Sequence, residues 1–230
     1  MLFRSIQQRN ALLREARFAG SRESTLDVLD EQLLPSATYV IAERRKFLQE
    51  LNTLAGAIHT ALTEGKETCR LAYEPNATEE ALAEALRAHR ESDLARGTST
   101  TGPHRDDFRV MASNEGTSDT AVENKEAAEE DRAEQEFIDL RHFGSQGQQR
   151  TAALALKLSE IELVKRRTGE EPILLLDDVL SELDAHRQTQ LLQNIEHVQT
   201  FLTCTGMEDL LTHAFPEHRV FRIDGGIVLP

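Results

Sequence analysis

ILLLDDVLSELD, Ile173 to Asp184, decides how this chain is read. The apolar run after the breaker Pro172 predicts a central strand buried on both faces, and two carboxylates, Asp177 and Asp178, stand at its carboxyl end. Adjacent side chains leaving a strand diverge. That suits a division of labour in which Asp177 holds Mg²⁺ and Asp178 orients an attacking water; the plainer alternative is an aspartate pair that caps a loop. One helix-length upstream lies GSQGQQRT, Gly144 to Thr151, whose glycines allow close approach of backbone to a ligand and whose following helix points its N-terminus at Ser145 to Gly147. Taken alone, that turn is better explained as an ordinary helix cap. Together, the two segments make half of a nucleotide-hydrolysis site. The phosphate cradle G-x-x-x-x-G-K-[ST] does not occur: the Gly65–Lys66 pair is followed by Glu67 and has Thr60 where the first glycine belongs.

At 230 residues and 39% hydrophobic content the chain can bury one good core or two modest ones. No apolar run approaches the ~20 residues that span a bilayer, and the opening MLFRSIQQRN lacks the apolar core of a signal peptide, so a soluble intracellular protein is expected. Cys69 and Cys204 have no paired spacing and read as reduced thiols. The net charge of −14 argues against indiscriminate nucleic-acid binding. Half of that excess sits between Ala112 and Glu136, where nine carboxylates face two cations, and this segment reads as a disordered or loosely ordered acidic insertion.

The chain divides near residue 97. Residues 1–96 read as a helical arm: helices over Phe3 to Phe18 and Leu26 to Leu34, the second stopped by Pro35; a long amphipathic helix seamed by Phe47, Leu51, Leu54, Ile58 and Leu62; a strand at Cys69 to Tyr73; and a helix from Thr78 to Leu94. Residues 97–230 alternate strands (Phe108 to Met111, Ile173 to Leu176, Thr200 to Cys204) with helices (Gln148 to Arg167, Asp184 to His197). This α/β pattern predicts a mainly parallel sheet covered by helices, closed by a hairpin around Asp224, Gly225 and Gly226. Lys165, Arg166 and Arg167 form the clearest basic cluster, which a helix C-terminus also favours through its dipole.

GSQGQQRTAALALKLSEIEL followed by PILLLDDVLSELD, with QQRNALLRE (Gln7 to Glu15), TGPHRDDF (Thr101 to Phe108) and QTFLTCT (Gln199 to Thr205), resembles the RecF family of bacterial recombination and repair proteins. These are ABC-type ATPases related to the heads of the structural-maintenance-of-chromosomes proteins. The resemblance implies the C-terminal part of an ABC-type head plus a helical arm or lid. It implies that Ser145, Gly147 and Gln148 form a signature motif reaching across a head-to-head homodimer to the partner's γ-phosphate. Asp177 then matches the Walker B carboxylate that binds Mg²⁺ and Asp178 the catalytic carboxylate. Ser181 and Asp184 fall in the D-loop, and Thr203 and Thr205 in the segment where transporter-type relatives place a switch histidine. His104, Arg105, Asp106 and Asp107 match a family motif best read as buried ion pairing between head and arm.

The resemblance further implies ATP and Mg²⁺ as cofactors, binding to single-stranded and duplex DNA, other recombination mediator proteins as partners, a role in the SOS response, and a bacterial cytoplasmic location without membrane attachment. Two departures stand out. The family's Walker A region would precede Met1, so this chain alone is expected neither to bind ATP tightly nor to hydrolyse it. The acidic stretch also looks longer than the family's usual hairpin there. Two other readings stay open: a non-enzymatic interaction fragment, and another chromosome-maintenance or repair head.

Overall fold

The helical seam of residues 23–62 forms a single 40-residue helix, α2 (Glu23–Leu62), in the computed structural model, which describes residues 2–19, 23–114, 137–205 and 219–229. The expected stop at Pro35 does not occur. A proline inside a helix removes one backbone bond and crowds the preceding turn, at about 3 kcal/mol. Leu33, Ala37 and Ile41, buried beside it against Ile6, Leu82 and Leu86, offset that cost, since each buried Leu or Ile contributes about 1.5–3 kcal/mol.

Before α2 runs α1 (Leu2–Ala19), which packs along it. Arg9 is wholly buried between them, with Nε donating to Asp30 at 2.6 Å and Nη1 to Asp93 at 2.6 Å and Ser99 Oγ at 2.8 Å. The helix expected from Thr78 to Leu94 is two helices, α3 (Leu82–Ala88) and α4 (Arg90–Arg96), parted at His89. The break lets each piece face its own core. Leu82 and Leu86 join the Leu33–Ile41 cluster, whereas Leu94 packs with Leu12, Leu13 and Leu26.

Strand β1 (Glu67–Glu74) pairs antiparallel with β2 (Asp107–Asn114) over all eight residues, and the short β3 (Ile138–Asp139) flanks β2. Cys69 lies opposite Ala112, both buried, and burial pushes the Cys69 thiol up to about 11. One strand precedes residue 97 and the other follows it, so the sheet ties the helical part to the rest. Ala112 to Asn114, expected to open the acidic insertion, end β2; residues 115–136 lie outside the described residues.

A short helix α5 (Leu140–Phe143) leads to α6 (Gln146–Thr168), then β4 (Leu174–Asp177), α7 (Ala185–Asn194) and β5 (Thr200–Thr203), which pairs parallel to β4. The hairpin β6 (Arg222–Asp224) and β7 (Ile227–Leu229) turns at Gly225 and Gly226, whose positive φ angles of 54° and 81° suit glycine. Among the described residues, parallel pairing is confined to β4 and β5, so the sheet is not mainly parallel as expected. Nor is β4 buried on both faces. Leu176 is 8% exposed and packs with Leu62, Leu158, Leu180 and Leu191, while its neighbour Leu175 is 73% exposed. Strand alternation sends every second side chain to the opposite face, and no layer among the described residues covers that face.

Candidate nucleotide-binding site

The Ser145 turn is built by local chemistry. Ser145 takes extended backbone angles (φ −62°, ψ 157°) and caps α6, its Oγ accepting from Gln148 N at 3.2 Å while Gln148 Oε1 accepts from Ser145 N at 3.0 Å. This reciprocal capping box follows from the Ser-x-x-Gln spacing. Gly144 is required by packing, because a Cβ there would stand 2.7 Å from the Leu140 carbonyl oxygen. At Gly147 a Cβ would meet only ordinary contacts, the nearest being Arg187 Nη1 at 3.7 Å. Packing within the chain therefore does not demand glycine at 147, and the glycine leaves room beside the helix N-terminus. Ser145 is exposed, so the turn is open to such a ligand.

The second segment is organised by β5. Parallel pairing sets Asp177 opposite Thr203, whose hydroxyl donates to Asp177 Oδ1 at 2.6 Å and accepts from Asp178 N at 2.9 Å. One threonine thus holds both aspartates. Asp178 has φ 51° and ψ 23°, a left-handed conformation that costs a non-glycine residue free energy and turns the chain sharply away from the strand. The tight turn Val179–Glu182 follows, with Ser181 Oγ donating to the Asp178 carbonyl at 2.9 Å. Asp184 caps α7 by accepting from Arg187 N at 3.0 Å, and it pairs with Arg187 Nη1 at 2.5 Å. The backbone N–H of Arg187 is the main reason its carboxyl is held below the usual aspartate value.

Asp177 and Asp178 are both exposed at the strand end, and only one Asp177 oxygen is taken by Thr203 among the bonds described. Mg²⁺ keeps several waters and takes one or two protein carboxylates together with phosphate oxygens, so this donor set fits that ion. Among the described residues no group of three or more His, Cys, Asp or Glu side chains gathers as a closed metal cage.

The structure therefore places Ser145, Gly147 and Gln148 together on one turn and Asp177, Asp178, Ser181 and Thr203 together at one strand end. Arg187, held by Asp184, lies beside Gly147 and bridges the two regions. Thr205 follows β5 at an exposed position. Sequence reasoning left Thr203 without a definite role; its hydroxyl organises both aspartates, and the register of two parallel strands is the signal that finds it. Glu67 was missed entirely. It accepts from Gln148 Nε2 at 3.1 Å across 81 residues of sequence, and no local pattern announces that contact.

In the TGPHRDDF motif the ion pairing falls on Asp106, almost fully buried, which accepts from Arg44 at 3.0 Å, Tyr73 Oη at 2.5 Å and Asn76 N at 2.9 Å. Asp107 is exposed beside Arg141, and His104 and Arg105 instead reach the Ser99 carbonyl. Each member of the basic cluster is bound to a carboxylate: Lys165 to Glu171, Arg166 to Glu162 and Arg167 to Glu50.

No family model matches the chain. Curated relatives do. The chain is 40% identical over 223 residues to the DNA replication and repair protein RecF of Lachnoclostridium phytofermentans, covering 97% of this chain and 56% of that protein. It is 39% identical over 233 residues to that of Ligilactobacillus salivarius, covering 96% and 55%. Among solved structures, the recombination mediator protein RecF-ATPrS in the RecFOR pathway superposes with a TM-score of 0.77 at 30% identity over 99% of this chain and 56% of that one, and RecF-ATP with 0.74. The chain spans a little over half the length of the relatives it matches. With its capped serine turn and its aspartate-tipped strand in the expected order, it belongs to the RecF family of DNA replication and repair proteins.

Proposed function

We propose that these residues form the later half of a DNA-repair ATPase head, in which the Ser145 turn of one protomer completes a nucleotide held by another. The observation that carries this reading is the Thr203 clamp, which aims two carboxylates with different freedom out of one strand end. Asp177, steadied by the threonine hydroxyl, would hold Mg²⁺, whose charge would offset that developing on the phosphates. Asp178, turned aside by its left-handed backbone, accepts a proton from the attacking water and orients it. Ser145, Gly147 and Gln148 present the N-terminus of α6 to the γ-phosphate across a two-fold homodimer.

The relatives' names as DNA replication and repair proteins and as a recombination mediator support a role in recombinational repair alongside other mediators; DNA binding, the SOS response and a bacterial cytoplasmic location belong to the same proposal. These names do not favour a mere interaction fragment or a different chromosome-maintenance head. No described helix is long and apolar enough to cross a membrane.

In the complete protein, carrying a phosphate-cradling loop as well as these residues, Asp178→Asn is expected to lower ATP turnover by about 10²–10⁴-fold, the usual contribution of a positioned proton acceptor. ATP-dependent self-association should persist. Turnover within threefold of the unsubstituted protein would remove Asp178 from the site.

A further inference from the structure

The turn that ends α2 reaches both the Ser145 turn and α7. Glu67, opening β1 just after it, accepts from Gln148 Nε2 at 3.1 Å. Glu64, at φ 55°, lies 3.3 Å from His186 on α7, next to the Arg187 that borders Gly147. A capping box works with either Glu or Gln at its third position. Only an amide, however, can accept from Ser145 N and also donate to a carboxylate, which is what Gln148 does here.

Behind this contact a buried imidazole faces the same carboxylate. His59 is fully buried, and Glu67 Oε2 stands 3.8 Å from its Nε2. Burial lowers the His59 pKa, with the Glu67 charge opposing it. Glu67 thus faces Gln148 with one oxygen and a helix-borne imidazole with the other.

We propose that Glu67 is a positioning residue that sets the signature turn through Gln148, so that the end of α2 couples the helical arm to the surface that completes the partner's nucleotide. This rests on the reading of Ser145 to Gln148 as a turn acting across a dimer. A displacement of α2 moves Glu67 and, with it, the amide that fixes the Ser145 cap. Coupling of this kind is worth about 5–150-fold in affinity between sites.

The test uses the complete family protein and sedimentation of its ATP-dependent dimer. Gln148→Glu keeps both capping-box bonds yet sets two carboxylates against each other; it should weaken the dimer by about tenfold or more. Adding Glu67→Gln returns an amide to the pair from the other side, and the double variant should recover to within about threefold of the unsubstituted protein. Glu67→Ala alone should weaken the dimer like Gln148→Glu while leaving ATP affinity of the separate protomer and the thermal midpoint unchanged. An undiminished dimer in Gln148→Glu or Glu67→Ala, or a double variant no better than Gln148→Glu, overturns the proposal. Ser145→Arg, run in parallel, separates the two levels. If it abolishes the dimer while Glu67→Ala does not, the coupling fails alone; if it too leaves the dimer intact, the reading of the turn fails and the coupling with it.

Discussion

Thr203 shows how one residue can define a site whose named chemistry belongs to others. Its hydroxyl donates to the Asp177 carboxylate and accepts from the backbone N–H of Asp178, so one group fixes the first carboxylate and the point where the chain turns into the second. Thr203→Val keeps the shape of the side chain and deletes both bonds. In the complete protein it should lower ATP turnover by about tenfold, a loss near the 1.4 kcal/mol expected of one well-placed hydrogen bond to a charged group, with little change in the unfolding midpoint because the position is exposed. A steady-state assay beside a thermal melt distinguishes this from a general loss of fold. Short-range features of the site were legible in the sequence: Ser145 and Gln148, three apart, state their own capping box, and Asp184 states its cap on α7. Thr203 and Glu67 were not, because their partners lie 25 or more residues away and are chosen by strand register and by tertiary packing.

At the scale of elements, the family segment QQRNALLRE acquires a physical meaning. Arg9 from α1 is buried against Asp30 of α2 and Asp93 of α4, and Asp30 is shared with Arg90, which also reaches Asp27. Asp93 further accepts from Thr100 N and Oγ1 at 2.8 and 2.6 Å. Three helices and the loop before the 3-10 turn at Pro103 are thereby registered on one guanidinium. Arg9→Met fills similar space without charge and leaves the buried Asp93 uncompensated, which should cost about 3–5 kcal/mol in urea unfolding. A loss under 1 kcal/mol would show that the network contributes no registration. The same scale explains where helix prediction failed. Pro35 carries a local stop signal, yet burial on both sides of it continues α2, and the Thr78 to Leu94 periodicity conceals a break that lets two short helices face two clusters. Local signals lose where tertiary burial is larger.

For the whole molecule, the order of elements and the α/β character were readable, because strand and helix periods differ and the motifs fall in sequence. The sheet's extent was not. An apolar run such as ILLL looks alike whether one face or two are covered, and here Ile173, Leu175 and Phe201 leave one face open while Leu176 closes the other. That open face accords with the proposal that this lobe contributes part of a shared site, and the chain spans about half the length of its relatives. The central claim is that the Ser145 turn and the Asp177–Asp178 strand end serve different nucleotides, one in each protomer. Subunit complementation tests it most directly: complete proteins carrying Ser145→Arg or Asp178→Asn are each assayed for ATP turnover and then mixed. Each mixed pair in a two-fold dimer holds one whole site, so turnover should rise well above that of either component, towards the quarter of the unsubstituted level that random pairing would give. A mixture as inactive as its two components would contradict the account.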